Sequence, residues 1–110
     1  LLILCHGGND FLRKLPEAAA ADNIRAMIRL AKAQRVEVVL MATPKPGLSI
    51  APPDFYADIA KEFDLPFNDS VLKEVLRENA TKSDLVHPNA KGYGAIAEAL
   101  AALLKKAKAI

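Results

Sequence analysis

Tryptophan is absent from this chain, cysteine occurs once, and serine stands only at positions 49, 70 and 83. The single thiol, Cys5, excludes an intrachain disulfide and leaves the redox compartment unread. Set in the apolar run Leu1 to Cys5, it reads as a small buried hydrophobe. Successive strand side chains point to opposite faces, which argues against a nucleophilic pair with the adjacent His6. Long hydrophobic runs are also missing: Leu1 to Cys5 is far too short to cross a bilayer, and no signal-peptide pattern is visible, so no transmembrane segment is expected. Nor is there a large excess of one charge. Fifteen Lys and Arg against thirteen Asp and Glu leave a formal net charge of +2 and a pI of 8.8. Much of that surplus is Lys105, Lys106 and Lys108, where cations meet the negative end of a helix dipole. Without a basic stripe interleaved with aromatics, nucleic acid is not an expected partner. What is present is 52% hydrophobic residues in 110, enough for one core and too few for two ordinary domains.

Hydrophobic periodicity divides the chain into strands and helices. Leu1 to Cys5 predicts a buried strand, and His6 to Leu15 a loop carrying a glycine pair. From Pro16 to Gln34, Ile24, Met27 or Ile28, and Ala31 share one face with Arg25, Arg29 and Lys32 outside it, the pattern of an amphipathic helix. Pro16 suits the first turn, where its missing N–H costs nothing. Val36 to Met41 is nearly continuous in Val, Leu and Met, as a parallel strand covered on both faces requires. Strand, helix, strand in this order implies a right-handed crossover and a parallel sheet. Pro44, Pro46, Gly47 and Pro52 make Ala42 to Pro53 a loop, and the lack of a Gly/Ser run argues against an interdomain tether. A helix is expected over Asp54 to Phe63 with Tyr56, Ile59, Ala60 and Phe63 inward, then a short strand over Asp64 to Phe67. Ser70 to Glu78 predicts a short helix capped by Ser70. The last helix, about Ala90 to Lys106, has Tyr93, Ile96, Ala97, Leu100, Leu103 and Leu104 at spacings of three and four, with Asn89 as N-cap. The fold class is α/β: three layers around a mostly parallel sheet.

Two short motifs carry chemistry. Gly7 and Gly8 let the backbone turn sharply after the first strand and approach a ligand closely. Asn9 then presents an amide N–H suited to negative charge developing on an ester oxygen. Alone, Gly-Gly-Asn describes an ordinary turn; its place at the carboxyl end of a parallel strand, where open α/β sheets bind ligands, adds weight. In the second motif, Asp84 and His87 lie three residues apart in a tight segment before a helix, so the two side chains can face each other or leave the same face together. A histidine takes the proton of a serine hydroxyl and returns it to the leaving group, while a carboxylate on its other nitrogen fixes the tautomer and stabilises the imidazolium. Pro88 and Asn89 set His87 on a rigid turn. No serine here completes a triad: Ser49 lies in the Pro-rich loop, Ser70 reads as a cap, and Ser83 neighbours Asp84 without a strand-to-helix elbow. His6, Asp10, Asp84 and His87 lack the close spacing of compact metal motifs. Neither a phosphate loop nor a Gly-x-Gly-x-x-Gly fingerprint exists, so no metal and no cofactor are expected.

Taken in order and separated by two helices, a strand and a Pro-rich loop, the two motifs resemble the C-terminal active-site blocks of the SGNH, or GDSL-like, esterases and lipases. The resemblance covers essentially all 110 residues. It runs through Asn23-Ile24-Arg25-Ala26-Met27, the strand into Thr43-Pro44, Phe55-Tyr56, and His87-Pro88-Asn89-Ala90 with Gly92-Tyr93. It implies a flavodoxin-like sheet and one partial domain over residues 1–110. The implied activity is carboxylic ester hydrolysis through a Ser-His-Asp triad on a small ester or thioester. By this resemblance Asn9 is the oxyanion residue, Asp84 the triad acid and His87 the general base; Gly8 supports the turn, and Asp10, Phe11 and Pro44 lie near the acyl or alcohol pocket. The family's serine, on a Gly-Asp-Ser-like turn after a first strand, and the glycine of its second block have no counterpart here. The resemblance therefore implies that an N-terminal complementary segment of the same enzyme supplies the nucleophile beside Leu1 to Cys5, and that the isolated chain is inactive without it. Carbohydrate-ester deacetylation and a non-catalytic hydrolase-like interaction module are the alternatives. The family includes secreted, periplasmic and cytoplasmic members, which leaves location open.

Overall fold

In a computed structural model, which describes residues 1–45, 51–84 and 87–108 apart from the side chains of Asn9 and Leu12, the apolar runs form a parallel sheet. Its strands β1 (Leu2–Leu4), β2 (Val38–Met41) and β3 (Phe67–Asn68) lie in the order β1-β2-β3. Leu2, Ile3 and Leu4 stand opposite Val38, Val39 and Leu40, while Leu40 and Met41 stand opposite Phe67 and Asn68. All four residues of β2 are buried, which explains its unbroken apolar sequence: a central strand covered on both faces has no solvent side for polar residues.

Helices α2 (Glu17–Ala33) and α3 (Phe55–Phe63) cover one face. There Ile24 and Ile28 of α2 and Tyr56 and Ile59 of α3 join Leu4, Val38 and Leu40 in one core. Arg25 Nε donates to Glu62 at 2.8 Å, tying the two helices together at the surface. On the opposite face α4 (Val71–Arg77) and α5 (Ala90–Lys106) pack Val71, Val75, Ile96 and Leu100 around Met41. The expected three-layer α/β arrangement with a parallel sheet is therefore the fold.

Where local elements differ from expectation, tertiary contacts account for the difference. The predicted loop from His6 to Leu15 contains a helix of five residues, α1 (Gly8–Leu12). A helix this short is held by packing rather than by propensity, and Phe11 supplies it, buried against the rings of Phe55 and Tyr56 with centroids 6.1 and 6.4 Å apart. The third strand begins at Phe67 rather than spanning Asp64 to Phe67, because Asp64 adopts left-handed φ 52° and closes α3 with its N–H on the Ala60 and Lys61 carbonyls. Ser70 contributes no side-chain cap to α4; Asn68 Oδ1 accepts from the N–H groups of Ser70 (3.1 Å) and Val71 (2.9 Å) instead. Tyr93 and Ala97 are exposed rather than inward. Cys5 is exposed too, contrary to its reading as a buried hydrophobe. It follows β1, an outer strand whose Ile3 is 40% exposed, whereas Leu4 on the other face is buried. Pro46, Gly47 and Ser49 lie outside the described residues.

Candidate active site

The chain leaves β1 through Cys5 and His6 and reverses at Gly7, whose φ of 119° is strained for any residue with a Cβ. A Cβ there would also overlap the Tyr56 hydroxyl and come within 3.3 Å of Phe11 Cζ. The glycine requirement of the turn thus falls on Gly7. Gly8 adds close but ordinary contact, its Cβ position 3.4 Å from Thr43 Cγ2. Tyr56 has no accessible surface, and its hydroxyl donates to the His6 carbonyl from beneath the turn. Burial pushes this phenol up from 10.0 to about 12, opposed in part by hydrogen bonding with Thr43. Asn9 is the second residue of α1, so its backbone N–H belongs to the first turn, whose donors have no intrahelical acceptor; its side chain lies outside the description.

Around this turn Cys5, His6, Gly7, Gly8, Asp10 and Thr43 line a hollow of about 250 Å³. Asp10 faces this hollow. Phe11 does not: it points the other way, 6% exposed in the core, because the α1 helix turns it toward Phe55 and Tyr56.

Asp84 and His87 do face each other. His87 Nδ1 lies 3.0 and 2.9 Å from the two Asp84 carboxylate oxygens. An ionised carboxylate only accepts, so Nδ1 is the donor in this pair; in a neutral ring that leaves Nε2 with its lone pair. Both side chains are open to solvent, 63% and 58% exposed. His87 stands on the wall of an apolar groove of about 360 Å³, together with Pro44, Leu72, Tyr93 and Ile96. Cys5 and Thr43 line this groove as well as the hollow at the glycine turn, so the two cavities share a wall just beyond the ends of β1 and β2. Sequence reasoning missed Thr43 and the role of Tyr56. A tyrosine rather than phenylalanine at a fully inward helix position was the available signal. Among the described residues no cluster of three or more His, Cys, Asp or Glu is placed to hold a metal ion, and no helix is long and apolar enough to cross a membrane.

The family model described as GDSL-like lipase/acylhydrolase matches residues 1–95. The chain belongs to the GDSL-like lipase/acylhydrolase family. Solved structures agree with this GDSL-like assignment. A GDSL-like lipase from Bacteroides thetaiotaomicron is 25% identical, with a TM-score of 0.69 over 100% of this chain and 63% of its own. AlinE4, an SGNH-hydrolase family esterase, is 28% identical with a TM-score of 0.61, covering 96% of this chain and 59% of its own. A serine-to-alanine mutant of the AlinE4 esterase gives 27% and 0.62 over the same shares, 96% and 59%. This chain spans 59–63% of the length of these structures. No curated protein matches it. The three-layer fold is that of the SGNH, GDSL-like hydrolases, a family of esterases and lipases.

Proposed function

We propose that these residues carry the acid–base half of a carboxylic ester hydrolase, in one partial domain completed by an N-terminal segment of the same enzyme. The observation that carries the reading is the Asp84–His87 hydrogen bond, formed beside a groove that shares Cys5 and Thr43 with the glycine turn. In this reading His87 Nε2 takes the proton of a serine hydroxyl as its oxygen attacks the ester carbonyl. Asp84 holds the tautomer and stabilises the imidazolium, and Asn9 donates to the oxyanion. Collapse of the tetrahedral intermediate breaks the bond to the alcohol or thiol, which takes the proton from His87. Water then cleaves the acyl-serine with the same base. Among the described residues no serine lines the hollow or the groove. The Ser83 hydroxyl is directed to the His87 and Pro88 carbonyls, and Ser70 immediately precedes α4. The nucleophile is accordingly assigned to the complementary segment, seated beside β1. Gly8 and Asp10 would border the reacting ester on the hollow side and Pro44 on the groove side.

The test is His87→Ala in the enzyme carrying its serine segment. Acyl-enzyme formation from an aryl ester should slow on the order of 10⁶-fold, the scale seen when a triad base is lost. An unchanged acylation rate would overturn the assignment. Running acyl thioesters and acetylated sugars alongside separates the substrate classes.

A further inference from the structure

Asp84 and His87 are both more than half exposed. The described backbone on either side of the pair is closed by hydrogen bonds. Lys82 and Pro88 pair as an antiparallel bridge. Inside that closure the Ser83 N–H donates to the His87 carbonyl at 2.9 Å, with the Ser83 hydroxyl at 3.3 Å from the same oxygen. Asn89, the next residue after the bridge, holds the closure from the helix side. Its backbone N–H donates to the Thr81 carbonyl at 3.0 Å. Its Oδ1 accepts from the Gly92 N–H at 2.9 Å, and its Nδ2 donates to the Ala80 carbonyl at 3.0 Å and lies 3.4 Å from that of Lys82. Only the amide oxygen can accept the first and only the NH₂ can donate to the others, so the orientation of the carboxamide is dictated by its partners.

We infer that Asn89 is a positioning residue for His87: its carboxamide bridges the first turn of α5 to the carbonyls at the start of the Asp84–His87 loop, and so keeps the imidazole on Asp84 in the Nδ1–H tautomer. The catalytic meaning of this inference rests on the reading of His87 as general base. Capping α5 uses only Oδ1; holding the loop uses Nδ2. The two halves of one side chain therefore do separable work.

Asn89→Asp and Asn89→Ser exploit that separation. Both keep an oxygen for the Gly92 N–H and cap helices about as well as asparagine, but neither presents an NH₂ to Ala80 and Lys82. Aspartate also sets a carboxylate oxygen against those carbonyls, and serine does not, so serine serves as the milder variant. In the full-length enzyme labelled with ¹⁵N at histidine, two-bond ¹H–¹⁵N spectra of the neutral ring should report Nδ1–H for His87. In both variants the signal should move toward the Nε2–H form, while the thermal midpoint stays within about 4 °C. Ester turnover should fall on the order of 10- to 10²-fold in kcat with KM little changed, the cost of a misplaced catalytic group. An unchanged His87 tautomer in both variants would overturn the inference, and so would a tautomer change that appears only together with melting of α5. The spectra decide the part played by Asn89 whatever the acylation rate of His87→Ala, so the two proposals fail separately.

Discussion

Tyr56 shows how one atom joins two distant parts of the chain. Its ring belongs to the core, yet its hydroxyl donates to the His6 carbonyl fifty positions earlier in the sequence. Tyr56→Phe keeps the ring and leaves that half-buried carbonyl without its donor. We expect a loss of about 1–2 kcal/mol, read as a lower urea midpoint. The phenol also has a pH signature. Its folded value is raised from 10.0 to about 12, so the contribution of the neutral form is fully present below pH 10 and is lost as pH rises from 10 toward 12. That loss amounts to on the order of 2–3 kcal/mol. Unfolding free energy measured across this window should fall less steeply in Tyr56→Phe than in the parent; equal slopes would contradict the assignment. Helical spacing marked Tyr56 as inward but not as an anchor, because its partner is set by how α3 packs under the β1 turn. Phe11 failed in the same way. The family resemblance implied a place near the pocket, and the α1 helix turned it into the core.

At the scale of the element, α5 matched its expected bounds because its signals are local: Asn89 as cap and apolar residues at three and four. Which of those residues face inward was less legible. Tyr93 is 57% exposed, since α5 meets the sheet through Ala95, Ile96, Ala99 and Leu100 rather than through its first turn. That first turn makes a different contact, through Gly92. A Cβ there would collide with the Thr81 carbonyl and come within 2.8 Å of Val75 Cγ1 and 3.0 Å of Pro88 Cβ, whereas at Gly94 nothing lies within 4 Å. The same substitution two positions apart should therefore have opposite signs. Gly94→Ala should stabilise by up to about 1 kcal/mol through helix propensity. Gly92→Ala gains the same propensity and loses more, about 1–3 kcal/mol, by overpacking. It also pushes on Pro88, the neighbour of His87. Thermal unfolding of the pair checks this, and destabilisation by both or by neither would refute the packing argument.

For the whole molecule, the sheet exposes apolar surface along β1, with Leu1 60% and Ile3 40% accessible. An outer strand with unpaired backbone groups and apolar side chains invites another strand, which is where the proposed serine-bearing segment would sit. Residues 1–110 alone should self-associate and bind a hydrophobic dye, and adding the upstream segment should reverse both and restore ester hydrolysis. Sedimentation velocity with and without that segment is the measurement. A stable monomer, labelled by an acylating probe at a serine within residues 1–110, would defeat the proposal.

The sequence by itself determined the three-layer α/β class, the buried central strand, four of the helices and the Asp84–His87 spacing. Each is written within a few residues as period, cap or turn, and backbone geometry translates those patterns directly. The tertiary structure alone decided that the His6–Leu15 segment turns helical, that Cys5 is exposed, that Phe11 is core, and that Asn68 rather than Ser70 caps α4. It also brought the glycine turn and the Asp84–His87 loop to the shared wall of Cys5 and Thr43. These depend on which side chains, dozens of residues apart, compete for the same space. Local pattern carries no information about that competition until the sheet and its helices are packed.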